Sequence, residues 1–356
     1  MRLGIIGLPQ AGKTTLFNAL TRGKQPTGMV SGKIEVHTGV VDVPDPRVDV
    51  LSNLFKPQKT IYAKVTYADI AGLDGSAGKT GISGVLLNQL TQMDGFIHVV
   101  RCFEDENVPH PAGSVGAQRD LATMEAEFVL NDLIAVERKL ERLAEERKKG
   151  GGREKAMVER ELALFERFQQ ALTAETPLRD LEISQEEEKT LAGYGFLSRK
   201  PVLIVLNIAE NQEAPTVTYA HQHTKIEALK GKLEMDIAQL SAEDAEVFLQ
   251  EYGIEEPSLN RVIRLSYDLL GLQSFFTVGA DEVRAWTVRR GASAHEAAGE
   301  IHSDLQKGFI RAEVIGYEEL IALGGLNEAK AKGKLRLEGK EYLVKDGEIM
   351  HVRFNL

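Results

Sequence analysis

Gly7-Leu8-Pro9-Gln10-Ala11-Gly12-Lys13-Thr14 satisfies the pattern G-x-x-x-x-G-K-[ST] without a gap. A short apolar run, Leu3 to Ile6, precedes it, and a helical pattern from Thr15 to Thr21 follows. Strand, glycine-rich turn and helix in that order form the context the pattern needs to hold phosphate. Glycines let the backbone wrap phosphate oxygens with its N–H groups turned inward. The dipole of the following helix adds attraction for anions. Pro9, Gln10, Ala11, Gly12, Lys13, Thr14 and Thr15 are therefore read as nucleotide-binding. Lys13 would reach the β and γ phosphates in a catalytic role, and the Thr14 hydroxyl would ligate Mg²⁺.

Outward from the loop, short β-like runs alternate with helical patterns: Val40 to Val43, Ala63 to Tyr67, Phe96 to Val100 and, far downstream, Val202 to Leu206. Such alternation implies βαβ units and a mostly parallel sheet, an α/β fold. Between them lies a segment of different character. Leu133, Val136, Leu140 and Leu143, then Val158, Leu162, Phe165, Phe168 and Leu172, step by three and four, with Gly150-Gly151-Gly152 between the two runs. That pattern predicts an antiparallel helical hairpin. The α/β pattern resumes at Pro201, so the hairpin is inserted into the first domain. The expected division is a P-loop NTPase domain over 1–117 and 199–272, an inserted coiled-coil hairpin over 118–198, and a small α+β domain over 273–356. In the last of these, Phe275 to Val278 is a strand candidate, and Lys334 to Glu338 with Tyr342 to Val344 read as a closing pair.

Two further elements sit where a phosphate-loop protein needs them. Asp69-Ile70-Ala71-Gly72 follows the Ala63–Tyr67 strand. Asp69 is the candidate carboxylate on the Mg²⁺ side, and Gly72 can offer its N–H to a γ-phosphate. The next residue is Leu73, at the position where Ras-type GTPases carry a water-orienting Gln. Leucine cannot orient water, so another group must do so or hydrolysis is slow. His110, in the irregular stretch Glu104 to Gly116, is the candidate, against the plainer reading of an exposed loop histidine. On the base side, Val202 to Leu206 runs into Asn207-Ile208-Ala209-Glu210. GTP-binding relatives of this architecture have N-K-x-D there. Glu210 in place of Asp and Ile208 in place of Lys argue against strict guanine specificity, without proving a preference for ATP.

Composition limits the classes of function. The chain has 356 residues, 43% of them hydrophobic, which excludes global disorder. A single cysteine, Cys102, excludes an internal disulfide and fits a reducing compartment. No apolar run reaches the length of a membrane span, and the N-terminus does not read as a signal peptide. A net charge of −10 speaks against a general nucleic-acid coat. It leaves room for local contacts, because Arg147, Lys148, Lys149, Arg153 and Lys155 cluster at the hairpin tip with only Glu154 among them. A merely solvated tip is the alternative.

Taken together these residues resemble the YchF family, the Obg-like ATPases of the translation-factor P-loop class. The resemblance spans the whole chain. It includes Thr38-Gly39-Val40-Val41, Pro44-Asp45-Pro46-Arg47, His98 to Glu104, and Glu282 to Thr287. It also includes Ala297 to His302, Lys307 to Glu313, Glu338-Gly339-Lys340 and Asp346-Gly347. The C-terminal runs look like the family's TGS domain, a β-grasp module. The resemblance implies an ATP-preferring, Mg²⁺-dependent, slow ATP hydrolase that is cytoplasmic and associates with ribosomes. It also places the family's loop histidine on His110. The chain departs from the family pattern at several sites. Gln10 stands where Asn is usual, and Lys33 where a Thr would ligate Mg²⁺. Ile82 to Leu87 replaces a glycine-rich switch, and Lys230-Gly231-Lys232 replaces the late S-A-K motif, leaving Lys232 as a base-side candidate. Two alternatives stay open: a nucleotide-binding interaction module with little or no turnover, and a GTPase.

Overall fold

The computed structural model describes residues 1–26, 36–70, 82, 84–149, 154–252, 254 and 256–355. Gly72, Leu73, Lys33 and residues 150–153 lie outside the described residues. The elements run β1 (Arg2–Ile6), α1 (Lys13–Thr21), β2 (Val36–Asp42), α2 (Pro46–Phe55), β3 (Lys59–Ile61), β4 (Lys64–Ile70), α3 (Gly84–Thr91) and β5 (Gly95–Arg101). Next come α4 (Ala117–Lys149), α5 (Lys155–Thr173), α6 (Gln185–Leu191), β6 (Val202–Asn207), β7 (Thr224–Leu229), α7 (Gly231–Gln239), α8 (Ala242–Glu251) and α9 (Ser258–Leu269). The chain closes with β8 (Leu272–Val278), β9 (Glu282–Arg289), α10 (Ala294–Ile301), α11 (Ser303–Lys307), β10 (Phe309–Gly316), α12 (Tyr317–Leu323), α13 (Leu326–Ala331), β11 (Arg336–Glu338) and β12 (Glu348–Phe354).

The backbone divides into two compact units, residues 1–39 with 66–262, and residues 40–65 with 263–356. A sheet of order β2-β4-β1-β5-β6-β7 organises the first. β1 pairs in parallel with β4 and β5, and β6 in parallel with β5 and β7. Every residue of β5 and β6 is buried, the mark of strands covered on both faces. Phe96, Val100, Ile204 and Leu206 pack there with Met124 and Phe128 of α4.

α4 and α5 form the expected hairpin. Val129, Val136 and Leu143 are buried seven residues apart on α4, and Val158, Phe165 and Leu172 repeat that interval on α5. A seven-residue apolar interval is the seam of a coiled coil. Lys139 reaches Glu161 across the pair at 2.7 Å. At the base, buried Asp132 of α4 accepts from Leu197 N (2.9 Å), Ser198 N (2.7 Å) and Ser198 Oγ (2.7 Å). This fixes the segment that feeds β6.

The second unit carries a mixed sheet of order β11-β10-β12-β8-β9-β3. β8–β9, β10–β12 and β10–β11 are antiparallel, whereas β8–β12 and β3–β9 are parallel. α10 opens with a capping box between Ser293 and Glu296. Two expectations are corrected here. Residues 40–65, assigned from sequence to the first domain, group with the C-terminal unit. The cause is the parallel pairing of β3 with β9 and the packing of α2 beside it. The Tyr342–Val344 run is not the closing strand. Its backbone bonds go to the 292–294 turn, through Ala294 N to Tyr342 O (2.7 Å) and Val344 N to Ala292 O (3.0 Å). β12 takes that role against β10.

Candidate nucleotide site

The phosphate loop leaves the carboxyl end of β1, between neighbours β4 and β5. That crevice is where open α/β sheets bind ligands. Its backbone is one that few side chains tolerate. Gly7 has φ 145°, and a Cβ there would stand 2.3 Å from Val99 O. Gly12 has φ 96°, and its Cβ would stand 2.3 Å from Asn207 Nδ2. Gln10 is held at φ 62°, a left-handed conformation that Asn accepts more readily than Gln. Gly12 is the N-cap of α1 and brings no side-chain cap, so the helix's first N–H groups have the arrangement an anion needs.

Lys13 folds back over the loop, its ammonium donating to Gly7 O and Leu8 O at 2.9 Å each. Burial pushes that ammonium down to about 8, with the nearby Asp69 carboxylate pulling the other way. Thr14 Oγ1 donates to Asp69 Oδ2 at 2.7 Å. Burial holds the Asp69 carboxyl above the usual carboxylate range, against the Thr14 bond and the charges of Lys13 and His37. Asp69 Oδ1 is buried with no hydrogen-bond partner among the described residues. A hydroxyl beside a half-satisfied buried carboxylate fits Mg²⁺, which binds through one or two protein oxygens plus phosphate and water. No cluster of three or more His, Cys, Asp or Glu with metal-ligand spacing occurs among the described residues.

On the base side, Asn207 is buried at the end of β6. Its Nδ2 donates to Ala11 O at 3.0 Å, and its Oδ1 accepts from Gly231 N at 3.1 Å. One amide thus ties the phosphate loop to the start of α7. Ile208 is buried and donates its N–H to Leu229 O at 2.9 Å. Glu210 is exposed in the turn that follows, and Lys232 is exposed on the first turn of α7. The structure therefore brings Thr14 against Asp69, and Ala11 and Gly12 against Asn207, by direct contact.

His110 is held apart from solvent. It is buried, its Nε2 lies 3.0 Å from Asp120 Oδ2, and its Nδ1 accepts from Ala112 N at 3.1 Å. With Nδ1 accepting, the proton resides on Nε2 and is donated to Asp120. Both ring nitrogens are thus engaged, which differs from an exposed loop histidine. His98, inside β5, is a second buried imidazole, pushed down to about 3 by burial and by the charges of Lys13 and Arg179. The sequence also gave no signal for Gln212, whose amide closes the base-side turn: Ala209 N donates to Oε1 at 3.1 Å, and Nε2 donates to Cys102 O at 2.6 Å.

Comparison with known proteins agrees with this geometry. A family model described as 50S ribosome-binding GTPase matches residues 2–139. A YchF GTPase C-terminal model, from a family described as of unknown function, matches residues 272–355. The ribosome-binding ATPase YchF of Haemophilus influenzae is 43% identical, covering 100% of this chain and 99% of the relative. Its Bacillus subtilis counterpart is 39% identical over 99% of both. The structure of the Schizosaccharomyces pombe YchF GTPase superimposes with a TM-score of 0.85 at 30% identity, covering 99% of this chain and 97% of that one. The phosphate loop, the Asn207 brace and full-length similarity at this level lead to one assignment: the chain belongs to the YchF family of P-loop NTPases.

Proposed function

We propose that this protein is a ribosome-associated ATPase switch of the cytoplasm that binds ATP with Mg²⁺ and hydrolyses it slowly. The observation that carries this reading is the intact phosphate cradle, with Thr14 against Asp69 at its metal side and Asn207 bracing its floor. The Lys13 ammonium would exchange its bonds to Gly7 O and Leu8 O for the triphosphate, whose negative charge favours the protonated amine. Thr14 and Asp69 are the residues that would hold Mg²⁺, which when bound neutralises charge across the β and γ phosphates. Asn207 keeps the loop backbone in place, and the turn from Ile208 to Glu210 meets the base. Glu210 in place of Asp supports ATP over GTP. Gly72 would offer its N–H to the γ-phosphate. The inserted hairpin over 118–198 and the TGS-like domain over 273–356 are the surfaces offered to ribosomal RNA or protein.

A second reading has its own support. Both His110 nitrogens are engaged, by Asp120 and by the Ala112 N–H, so this histidine must turn before it orients water. That favours a nucleotide-binding module with little turnover. Calorimetric titration with ATP and with GTP, followed by turnover with and without ribosomes, separates the readings. ATP hydrolysis that requires Mg²⁺ and is lost in Lys13→Ala is expected. Tight ATP binding without turnover under either condition selects the module instead, and equal or tighter GTP binding overturns the base preference.

A further inference from the structure

We propose that Gln212 is a positioning residue for base recognition, holding the turn that meets the purine ring of a bound nucleoside triphosphate. The inference rests on the nucleotide reading above. Asn207 commits both ends of its amide to Ala11 O and Gly231 N, and Ile208 is buried. The backbone from Ile208 to Asn211 and the Glu210 carboxylate are therefore what this strand end presents to a base edge. A turn of that kind discriminates only if it is held still, because hydrogen-bond energy falls steeply with misalignment.

Gln212 supplies the hold. Its backbone N–H closes the turn on Ala209 O at 3.2 Å. Its side chain then accepts from Ala209 N and donates to Cys102 O. Cys102 belongs to the exit of β5, and its own N–H donates to Asn207 O at 2.9 Å. The Cys102 backbone thus grips the base-side strand through its N–H and the turn, by way of Gln212, through its carbonyl. Only a side chain that is donor and acceptor at once makes both bonds, which an apolar residue of equal length cannot. The phosphate loop makes no bond to Gln212, so its effect falls on the base and not on the phosphates.

The test compares MgATP with tripolyphosphate, which has no base, on the wild-type protein, Gln212→Met, Gln212→Ala and the neighbouring Glu213→Ala. Loss of the two side-chain bonds is expected to weaken ATP binding about three- to tenfold, with tripolyphosphate affinity unchanged in both Gln212 variants. Glu213→Ala, at an exposed residue beyond the turn, should bind both ligands as the wild type does. Tripolyphosphate binding also reports that each variant is folded. ATP affinity unchanged in Gln212→Met overturns the inference, as does an equal loss for both ligands, which marks a general structural defect. Wild-type protein that binds neither ligand overturns the nucleotide reading itself, and the positioning role with it.

Discussion

Thr14 Oγ1 donates its proton to Asp69 Oδ2 at 2.7 Å, joining residues 55 positions apart at the mouth of the phosphate loop. The other carboxylate oxygen, Oδ1, is buried and unpartnered among the described residues. A buried, half-satisfied carboxylate is costly unless something else completes it. Completion by a hydrated cation predicts that Asp69→Asn keeps the Thr14 bond and loses the charge. ATP affinity measured with Mg²⁺ should fall about ten- to a hundredfold. ATP affinity in excess chelator should change little. A variant whose Mg²⁺ dependence matches the wild type would remove Asp69 from the metal side.

Asp132 gives a pH prediction with a definite sign. Burial pushes its carboxyl up to about 6 from an ordinary value of 3.8, although the bonds from Ser198 and Leu197 favour the charged form. Between those two values the folded state holds more protons than the unfolded state. Stability from this group is therefore fully present below pH 3.8 and is lost as pH rises through about 6. The difference in unfolding free energy between wild type and Asp132→Asn should fall across that window. Ser198→Ala removes a bond to the charged form, so the Asp132 midpoint, followed by carboxyl-carbon NMR, should move up. A downward shift would contradict the assigned balance.

Arg179 lies at the same joint with its side chain fully buried. It pairs with Glu125, reaches Tyr219 Oη at 2.6 Å and donates to Ser198 O at 3.0 Å. Removing one partner of a buried pair strands the other charge. Arg179→Met should therefore destabilise the protein by about 3–5 kcal/mol in denaturant unfolding. The double variant Arg179→Met with Glu125→Gln should recover a good part of that loss. Equal instability of the single and double variants would mean that packing, not the stranded carboxylate, sets the cost.

Much of this was legible in the sequence because the signals are local. The Gly7–Thr14 pattern carries its own backbone requirement, and the structure meets it with positive φ at Gly7 and Gly12. The hairpin was readable because its apolar period is helical over many turns. What stayed hidden depends on contacts between distant residues. Nothing in Lys59-Thr60-Ile61 tells that it pairs with β9 more than two hundred residues on, and so which unit residues 40–65 join. Nothing near Gln212 marks its bond to Cys102, and the environment of His110 is set by Asp120 one helix turn into α4. Tyr342-Leu343-Val344 reads as a strand by composition alone, yet its bonds go to a turn. Strand preference reflects fit to a half-buried surface more than backbone choice.

Gly12 meets two constraints at once, a φ of 96° and the proximity of Asn207 Nδ2. Gly12→Ala should displace Asn207, break its bonds to Ala11 and Gly231, and lower stability by about 1–3 kcal/mol. ATP should then give little or no rise in thermal midpoint, whereas it raises that of the wild type. Pairing Gly12→Ala with Asn207→Gly relieves the clash but not the backbone strain. The double variant should therefore recover stability only in part and recover no ATP binding. Full recovery would show that φ at this position is free to change.

Arg47 adds a side-chain link to the strand pairing that groups residues 40–65 with the C-terminal unit, and that role can be measured. Asp45 caps α2 by accepting from Arg47 N at 3.0 Å, and the Arg47 guanidinium then pairs with Asp45 at 2.8 Å and Asp346 at 2.7 Å. It also lies 5.1 Å from the centre of the Phe276 ring on β8. Asp346 Oδ1 in turn accepts from Ser274 N at 3.0 Å, so one guanidinium joins α2, β8 and the turn before β12. Arg47→Ala should cost about 1–3 kcal/mol of stability, charge-assisted bonds being the stronger kind. The Arg47–Asp346 pair itself should contribute only about 0.5–1 kcal/mol in a double-mutant cycle, since Asp346 is half exposed. Hydrogen exchange in Arg47→Ala should quicken in β3, β8 and β9 together, because β3 shares a sheet with β8 and β9. Faster exchange confined to α2 would mean that residues 40–65 are held by strand pairing alone, without the Arg47 link.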